Sequence, residues 1–295
     1  MFDKISNMSG IPTIRLFLLG LFLASNLFAA ETTAEKKDIL RAVRLGDAKR
    51  VDAALRHGAD INALDANGET PLMGAVSSGN IEIVKLLIAK GANVAYESKK
   101  FGLSAFDIAI QGNQPEIVRI LLDKGVDVNR PLGNDQMPPL AKAAVSGGNV
   151  SILKVLLEKG AKINAAGSHQ RDALEAAVGA GHYEAAEFLI SQGANVNPGS
   201  EVQWAPINMA AMNGNDRIVG LLLDKGAKID TANNTKFTAL MFAAEQGHTS
   251  TVKLLISRGA DVNQKDSAGR TALSIAGQKN KSEVVAILKS AGAKE

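Results

Sequence analysis

The chain contains no cysteine among its 295 residues, and only 4% of its residues are aromatic. Without cysteine it has no disulfide bond, no thiolate zinc site, no cysteine nucleophile and no acylated cysteine anchor. Its 33 basic and 30 acidic side chains leave a formal net charge of only +3, which does not by itself indicate nucleic-acid binding. The 46% of hydrophobic residues and 21% of charged residues are typical of a folded chain of one or two domains.

The first thirty residues differ in composition from the rest of the chain. An apolar run, LFLLGLFL, fills residues 16–23, and small residues follow up to Ala30, where the chain becomes charged. This order predicts a secretory signal peptide over residues 1–29, with residues 30–34 as a short linker. An uncleaved membrane anchor is the alternative, but the apolar run is shorter than the roughly 20 residues that a spanning helix needs.

The leader has the character of a bacterial one, so we expect the chain in the periplasm, with secretion as the alternative. No second stretch of the sequence is apolar and long enough to span a membrane. We therefore expect no stable membrane insertion after the signal is removed, and we expect a monomer.

A pentapeptide of the form Gly-Ala-Asp-Val-Asn recurs along the rest of the chain. Its glycines lie 33 to 35 residues apart, at Gly58, Gly91, Gly125, Gly160, Gly193, Gly226, Gly259 and Gly292. A fixed period of this length indicates a repeat architecture in which each repeat is one structural unit.

Each period also contains two helical patterns, most clearly after Thr70-Pro71. Threonine followed by proline is typical of a helix N-cap and first helical position. A Gly-Asn turn then leads into a second, more apolar helix over residues 81–88, which Gly91 is expected to end in the left-handed conformation. Each unit is therefore predicted to consist of a helix, a turn, a second helix and an extended segment, called the finger, that leads to the next unit.

These motifs resemble the ankyrin repeat, and a good copy of its pattern runs from Ala239 to Asn263. The resemblance covers about residues 35–294 and implies an all-α solenoid of helix-turn-helix units with short β-hairpin fingers. The implied ankyrin-repeat domain spans residues 35–295. Its units are approximately 35–64, 65–97, 98–131, 132–166, 167–199, 200–232, 233–265 and 266–295.

The sequence offers little for catalysis or for binding a metal or cofactor. His182 and His248 occupy the family's turn position, and His57 precedes a C-cap glycine, so we interpret all three as structural. His169 stands alone at a finger tip, which is a poor metal site. We expect no enzyme, no metal and no cofactor, and a buried titratable group with a perturbed pKa would be the observation that reopens the enzyme hypothesis.

Seven basic residues between Lys36 and Arg56 could suggest a phosphate or membrane surface. Acidic residues are interleaved with them, and the outer face of an end repeat is expected to be charged. We therefore expect no nucleic-acid partner.

One residue in each finger precedes the Thr-Pro position and is expected to face water. Along the chain this position holds Glu69, Leu103, Met137, Arg171, Trp204, Phe237 and Arg270. Exposed Trp, Phe and Met beside Arg are typical of a protein-binding surface. The predicted binding residues are Phe101, Leu103, Met137, Arg171, Val202, Trp204, Met212 and Phe237, on the concave finger-and-inner-helix face. The alternative is that these side chains lie over neighbouring fingers and only stiffen them.

The resemblance also implies a role in binding another protein. Exported bacterial ankyrin-repeat proteins suggest an adaptor that supports an envelope enzyme such as a stress-defence catalase. An immunity protein that neutralises a toxin, or a secreted effector that binds host proteins, are the alternatives.

Overall fold

The structure, a computed structural model, describes residues 39–133, 135–167, 171–198 and 205–294. The predicted signal peptide and linker lie outside the described residues and stay predictions. His169, Val202 and Trp204 also lie outside them.

The described residues form sixteen helices, which fall into two compact units. The first unit extends to Lys100 and contains α1 (39–44), α2 (Ala48–Arg56), α3 (Pro71–Ser77) and α4 (Ile81–Ala89). The second begins at Phe101 and contains α5 (Ala105–Gln111), α6 (Pro115–Asp123), α7 (Pro139–Ser146), α8 (Val150–Glu158), α9 (Ala173–Ala180), α10 (Tyr183–Ser191), α11 (Pro206–Met212), α12 (Asp216–Asp224), α13 (Ala239–Gln246), α14 (Thr249–Ser257), α15 (Ala272–Gln278) and α16 (Ser282–Ser290). The predicted all-α class is confirmed, whereas the bounds of the predicted domain and its units stay predictions.

In the second unit the helices form two layers. The odd-numbered helices α5 to α15 pack on one another in sequence, and the even-numbered helices α6 to α16 form a second layer in the same order. Each odd-numbered helix also packs on the even-numbered helix that follows it. This is the nearest-neighbour packing of a helical solenoid.

The predicted helix boundaries have the expected local chemistry. The Met73 backbone N–H donates a hydrogen bond to Thr70 Oγ1 at 3.3 Å, and Pro71 occupies the first helical position, where no N–H is needed. After α4, Gly91 has a φ of +92°, a left-handed conformation that glycine adopts without a steric penalty. The predictions for both ends of this helix pair are confirmed.

A leucine at the seventh position of each even-numbered helix from α4 to α16 forms the centre of the core. These leucines are Leu87, Leu121, Leu156, Leu189, Leu222, Leu255 and Leu288, and each is 0% exposed. Burying a leucine side chain contributes about 1.5–3 kcal/mol, so each of these repeats gains a similar stabilisation from its buried leucine.

The last residue of the pentapeptide connects consecutive fingers. Asn129 Oδ1 accepts a hydrogen bond from the Lys162 backbone N–H at 3.0 Å, and Asn197 Oδ1 accepts one from the Lys228 N–H at 2.8 Å. Isolated antiparallel bridges, among them Leu132 with Met137 and Ala232 with Thr238, stand in place of the predicted hairpins. The described residues contain no strand longer than a single bridge. No helix in the described ranges has the length and apolar character required to cross a membrane.

Candidate protein-binding surface

The finger tips that precede α7 and α9 lie against each other. Leu132 is fully buried, and its N–H donates to the Met137 carbonyl oxygen at 2.9 Å, which anchors the first of these fingers. In the second finger, the Gly167 N–H donates to the Arg171 carbonyl oxygen at 3.3 Å. A Cβ atom on Gly167 would lie only 3.2 Å from Met137 Cα, so glycine permits this close approach of the two fingers.

Small residues form the inner surface of α9, and a hollow of about 210 Å³ lies over them. Ala176, Gly179 and Ala180 form the floor of this hollow. A Cβ atom on Gly179 would lie 2.7 Å from Met209 Sδ, so the absence of a side chain there makes room for the methionine of α11. The hollow therefore exists because α9 carries alanine and glycine where its neighbours carry larger side chains.

Larger side chains from the adjacent elements surround this floor. Val145 of α7, which is 38% exposed, lies on one side, and the half-buried Met212 of α11 lies on the other. The two neighbouring finger tips contribute Met137 and Arg171. Three of the residues predicted from the sequence, Met137, Arg171 and Met212, thus line one hollow.

Polar side chains hold the helices around this hollow in register. His182 Nε2 lies 3.4 Å from a carbonyl oxygen at the end of α7, and Asn213 Nδ2 donates to one at the end of α9 at 3.1 Å. His248 Nε2 lies 2.9 Å from a carbonyl oxygen at the end of α11. In the first unit, which does not contribute to this hollow, His57 Nδ1 lies 2.7 Å from the Ala53 carbonyl oxygen at the end of α2. The structural interpretation of these histidines is confirmed.

The other predicted binding residues differ in exposure. Phe101 is 45% exposed and Leu103 is half-buried, but Phe237 is only 7% exposed. The prediction that Phe237 faces water is therefore wrong. Val202 and Trp204 lie outside the described residues, and their part in binding stays a prediction.

Phe237 is covered by its neighbours. Its ring packs edge-on against Phe242, with the ring centroids 4.7 Å apart, and the Arg270 guanidinium lies over it at 5.9 Å from the centroid. Asp266 Oδ2 accepts a hydrogen bond from Arg270 Nε at 2.8 Å and so holds the guanidinium in place. At this position the alternative proposed from the sequence, stiffening of the fingers, describes the structure.

We call the finger tips and odd-numbered helices of the second unit the inner face. Most charges of this face are paired, in Arg130–Asp107 at 3.8 Å, Lys142–Asp135 at 3.0 Å, Arg270–Asp266 at 2.7 Å and Lys279–Glu245 at 3.1 Å. The exposed cations of this face that make no ion pair with a described residue include Arg171, Lys236 and Lys265. Of these cations only Arg171 lines the hollow, so one positive charge without an ion-pair partner among the described residues lies at its edge.

Asp172 and Glu175 form a buried carboxylate pair that the sequence analysis did not identify. They make a capping box at the start of α9: the Glu175 N–H donates to Asp172 Oδ1 at 2.9 Å, and the Asp172 N–H donates to Glu175 Oε2 at 3.0 Å. Burial and the nearby Asp172 carboxylate raise the pKa of Glu175 to about 7, although Arg171 acts in the opposite direction. Because Glu175 is only 2% exposed and bonded to backbone, this pair is explained as a helix cap and not as an acid–base pair open to a substrate.

A second, larger hollow of about 600 Å³ lies between α10, α12 and α14 on the even-numbered layer. Its polar groups pair with one another: the Arg217 guanidinium lies 4.1 Å from the Tyr183 ring centroid, and Arg258 forms an ion pair with Asp224 at 2.7 Å. Gly220, in the middle of α12, was the sequence signal that could have indicated this hollow. In the described ranges, no three His, Asp or Glu side chains converge as a metal site requires.

Stacked helix pairs with an inner face of variable side chains define a helical-repeat protein. Three copies of the family model for Ankyrin repeats match residues 39–132, 130–200 and 203–295. The chain belongs to the ankyrin-repeat family. It is a protein–protein interaction module by its repeats, and a fold of this kind is typically non-catalytic.

The matches to curated proteins cover only part of each protein. The chain is 31% identical over 126 residues to the Ankyrin repeat, SAM and basic leucine zipper domain-containing protein 1 of Echinops telfairi, covering 41% of this chain and 26% of that protein. It is 42% identical over 76 residues to the 2-5A-dependent ribonuclease of Mus musculus, covering 25% of this chain and 10% of that protein. The chain thus spans about a quarter or less of the length of these curated relatives. Among solved structures, the human ASB11 ankyrin repeat domain matches with a TM-score of 0.68 and 29% identity, over 77% of this chain and 100% of that domain.

Proposed function

We propose that this chain is a non-enzymatic adaptor, exported to the bacterial envelope, that binds a protein partner through its inner face. The observation that supports the proposal best is the hollow over α9. It brings Met137, Arg171 and Met212 together around a floor of small residues of α9. Binding energy at protein interfaces is concentrated where a few large side chains surround a pocket.

The experiment that tests this binding surface is affinity capture from an envelope extract with the purified chain. We expect a double variant, Met137→Ala with Met212→Ala, to lose a protein that the wild type retains. The control is Leu45→Ala, because Leu45 is 59% exposed and belongs to the first unit, so it is not one of the residues of the inner face. If the same proteins are captured by all three chains, the proposed surface is wrong.

Export is tested by the mass of the chain recovered from the periplasm. Cleavage after Ala29 removes residues 1–29, so the mature chain is expected to begin at Ala30. A chain recovered at full length from the membrane fraction would favour the uncleaved anchor instead.

The proposed role is support of an envelope enzyme such as a stress-defence catalase. The alternatives are an immunity protein that neutralises a toxin and a secreted effector that binds host proteins. The neighbouring genes discriminate between them: a catalase gene supports the first, a toxin gene the second, and neither leaves the effector.

A further inference from the structure

The hollow over α9 combines an apolar floor with one cation. Ala176 and Ala180 present only methyl groups, and Met212 adds a polarisable side chain that adapts to the shape of what it contacts. Arg171 lines the same hollow from the finger tip and is exposed. An apolar group and an anion can therefore be bound within one site.

The charges of the inner face indicate which sign the partner carries there. The half-buried acids Asp135 and Glu245 of this face are paired with Lys142 and Lys279, and Arg171 is the one charged residue in the lining of the hollow. Asp172 and Glu175 are buried in the cap of α9. Arg171 therefore presents a charge that the described residues leave for a partner, and complementary charge at an interface favours an acid.

We infer that the hollow binds an acidic segment of the partner protein, in which one apolar side chain enters the hollow and a nearby aspartate or glutamate pairs with Arg171. This inference rests on the proposed function and specifies the chemistry of its partner. The hollow has room for a side chain such as leucine, methionine or phenylalanine. Since Arg171 belongs to the lining of the hollow, the carboxylate follows or precedes the apolar residue by one or two positions in an extended segment.

The test uses phage-displayed random peptides of twelve residues, selected on the purified full chain. Recovered peptides are then measured on three variants. Arg171→Glu reverses the charge at the hollow, and Ala180→Leu fills the hollow at an exposed position without changing any charge. Lys154→Glu is the matched control, because Lys154 is an exposed lysine of α8, on the other layer. Circular dichroism confirms that each variant is folded.

We expect the selected peptides to share a leucine, methionine or phenylalanine within two positions of an aspartate or glutamate. Their affinity is expected to fall at least about tenfold on Arg171→Glu and on Ala180→Leu, and to stay unchanged on Lys154→Glu. Replacing the free C-terminal carboxylate of a synthetic copy by an amide should leave binding unchanged.

Several results would overturn the inference. Failure to enrich any peptide, or peptides that bind Arg171→Glu as well as they bind the wild type, exclude an acidic segment at this site. Loss of binding on amidation assigns the carboxylate to a chain terminus. Unchanged binding to Ala180→Leu would show that the apolar side chain of the peptide does not enter the hollow.

The proposed function fails separately from this inference. If the captured protein is lost from the Met137→Ala, Met212→Ala variant but retained by Arg171→Glu, the inner face binds a partner whose chemistry differs from the one inferred here. If both variants retain it, the surface itself is wrong.

Discussion

Glu175 is expected to make the stability of this chain fall as the pH rises. Its side chain is 2% exposed, Oε2 accepts a hydrogen bond from the Asp172 N–H, and Oε1 is buried with no hydrogen-bond partner among the described residues. Burial, together with the Asp172 carboxylate, raises the pKa of Glu175 from 4.5 to about 7. Burial also raises the pKa of Asp172.

The sign of the effect follows from which state binds the proton more tightly. Between pH 4.5 and about 7 the folded chain keeps the proton on Glu175 and the unfolded chain does not. The stabilisation is therefore complete below pH 4.5, is lost as the pH rises, and is absent above about 7. A pKa difference of this size corresponds to about 3 kcal/mol of the free energy of unfolding.

Other carboxylates act in a separate pH range. A hydrogen bond from Arg56 lowers the pKa of Asp52, and one from Lys159 lowers that of Asp123, both from an ordinary value of 3.8. Their contribution is present above pH 3.8 and is lost only as the pH falls further. A comparison of pH 5 with pH 8 therefore avoids the range in which Asp52 and Asp123 act, and the difference between the wild type and a Glu175 variant isolates the contribution of Glu175.

The test is the substitution Glu175→Gln, with urea unfolding monitored by circular dichroism at pH 5 and at pH 8. The free energy of unfolding of the wild type is expected to fall by up to about 3 kcal/mol between pH 5 and pH 8, and that of the variant is expected to fall much less. Glu184→Gln removes the same charge from an exposed position of α10 and serves as control. A wild type whose stability does not fall over this range, or a Glu175→Gln variant that falls as steeply, would refute the reasoning.

Three further substitutions test the packing. Leu255→Ala should cost about 2–5 kcal/mol of stability, because Leu255 is 0% exposed at the centre of α14; a silent change would show that the helix phasing is wrong. Phe237→Ala should cost about 3 kcal/mol, since its ring lies between Phe242 and Arg270, and a loss of partner binding without loss of stability would contradict this. Asn197→Ala should cost about 1–2 kcal/mol through two lost hydrogen bonds, measured by urea unfolding, and an unchanged midpoint would show that the finger connection contributes little.

The fold was predictable because its determinants are local and repeated. Thr70 and Pro71 begin a helix by chemistry that acts within one turn, and Gly91 ends the next one by its backbone conformation. Other repeats place an equivalent N-cap, such as Ser104 or Thr238, and an equivalent glycine, such as Gly125 or Gly259, at the corresponding positions, so an ambiguity in one copy is resolved by the others. The extent of β-structure in the fingers was overestimated: pairing within a finger is reduced to isolated bridges such as Leu132 with Met137, and asparagine side chains such as Asn197 connect one finger to the next.

The hollow over α9 was only partly predictable. The positions of Met137, Arg171 and Met212 follow from the period, and all three were identified. The floor was missed because alanine and glycine at positions 176 and 179 are unremarkable in a helix when read alone. They form a hollow only because Val145 of α7 and Met212 of α11 lie on either side of them.

The exposure of the residue at the finger tip differs from one repeat to another. Arg171 and Phe237 occupy the same place in their units, yet the arginine is exposed and the phenylalanine is 7% exposed. The difference comes from the neighbouring unit: Arg270, held by Asp266, lies over the Phe237 ring. Exposure at this position is therefore a property of two consecutive fingers. A binding surface in such a chain has to be inferred from neighbouring repeats taken together, because the hollow over α9 is lined by the finger tips before α7 and α9 and by side chains of α7, α9 and α11.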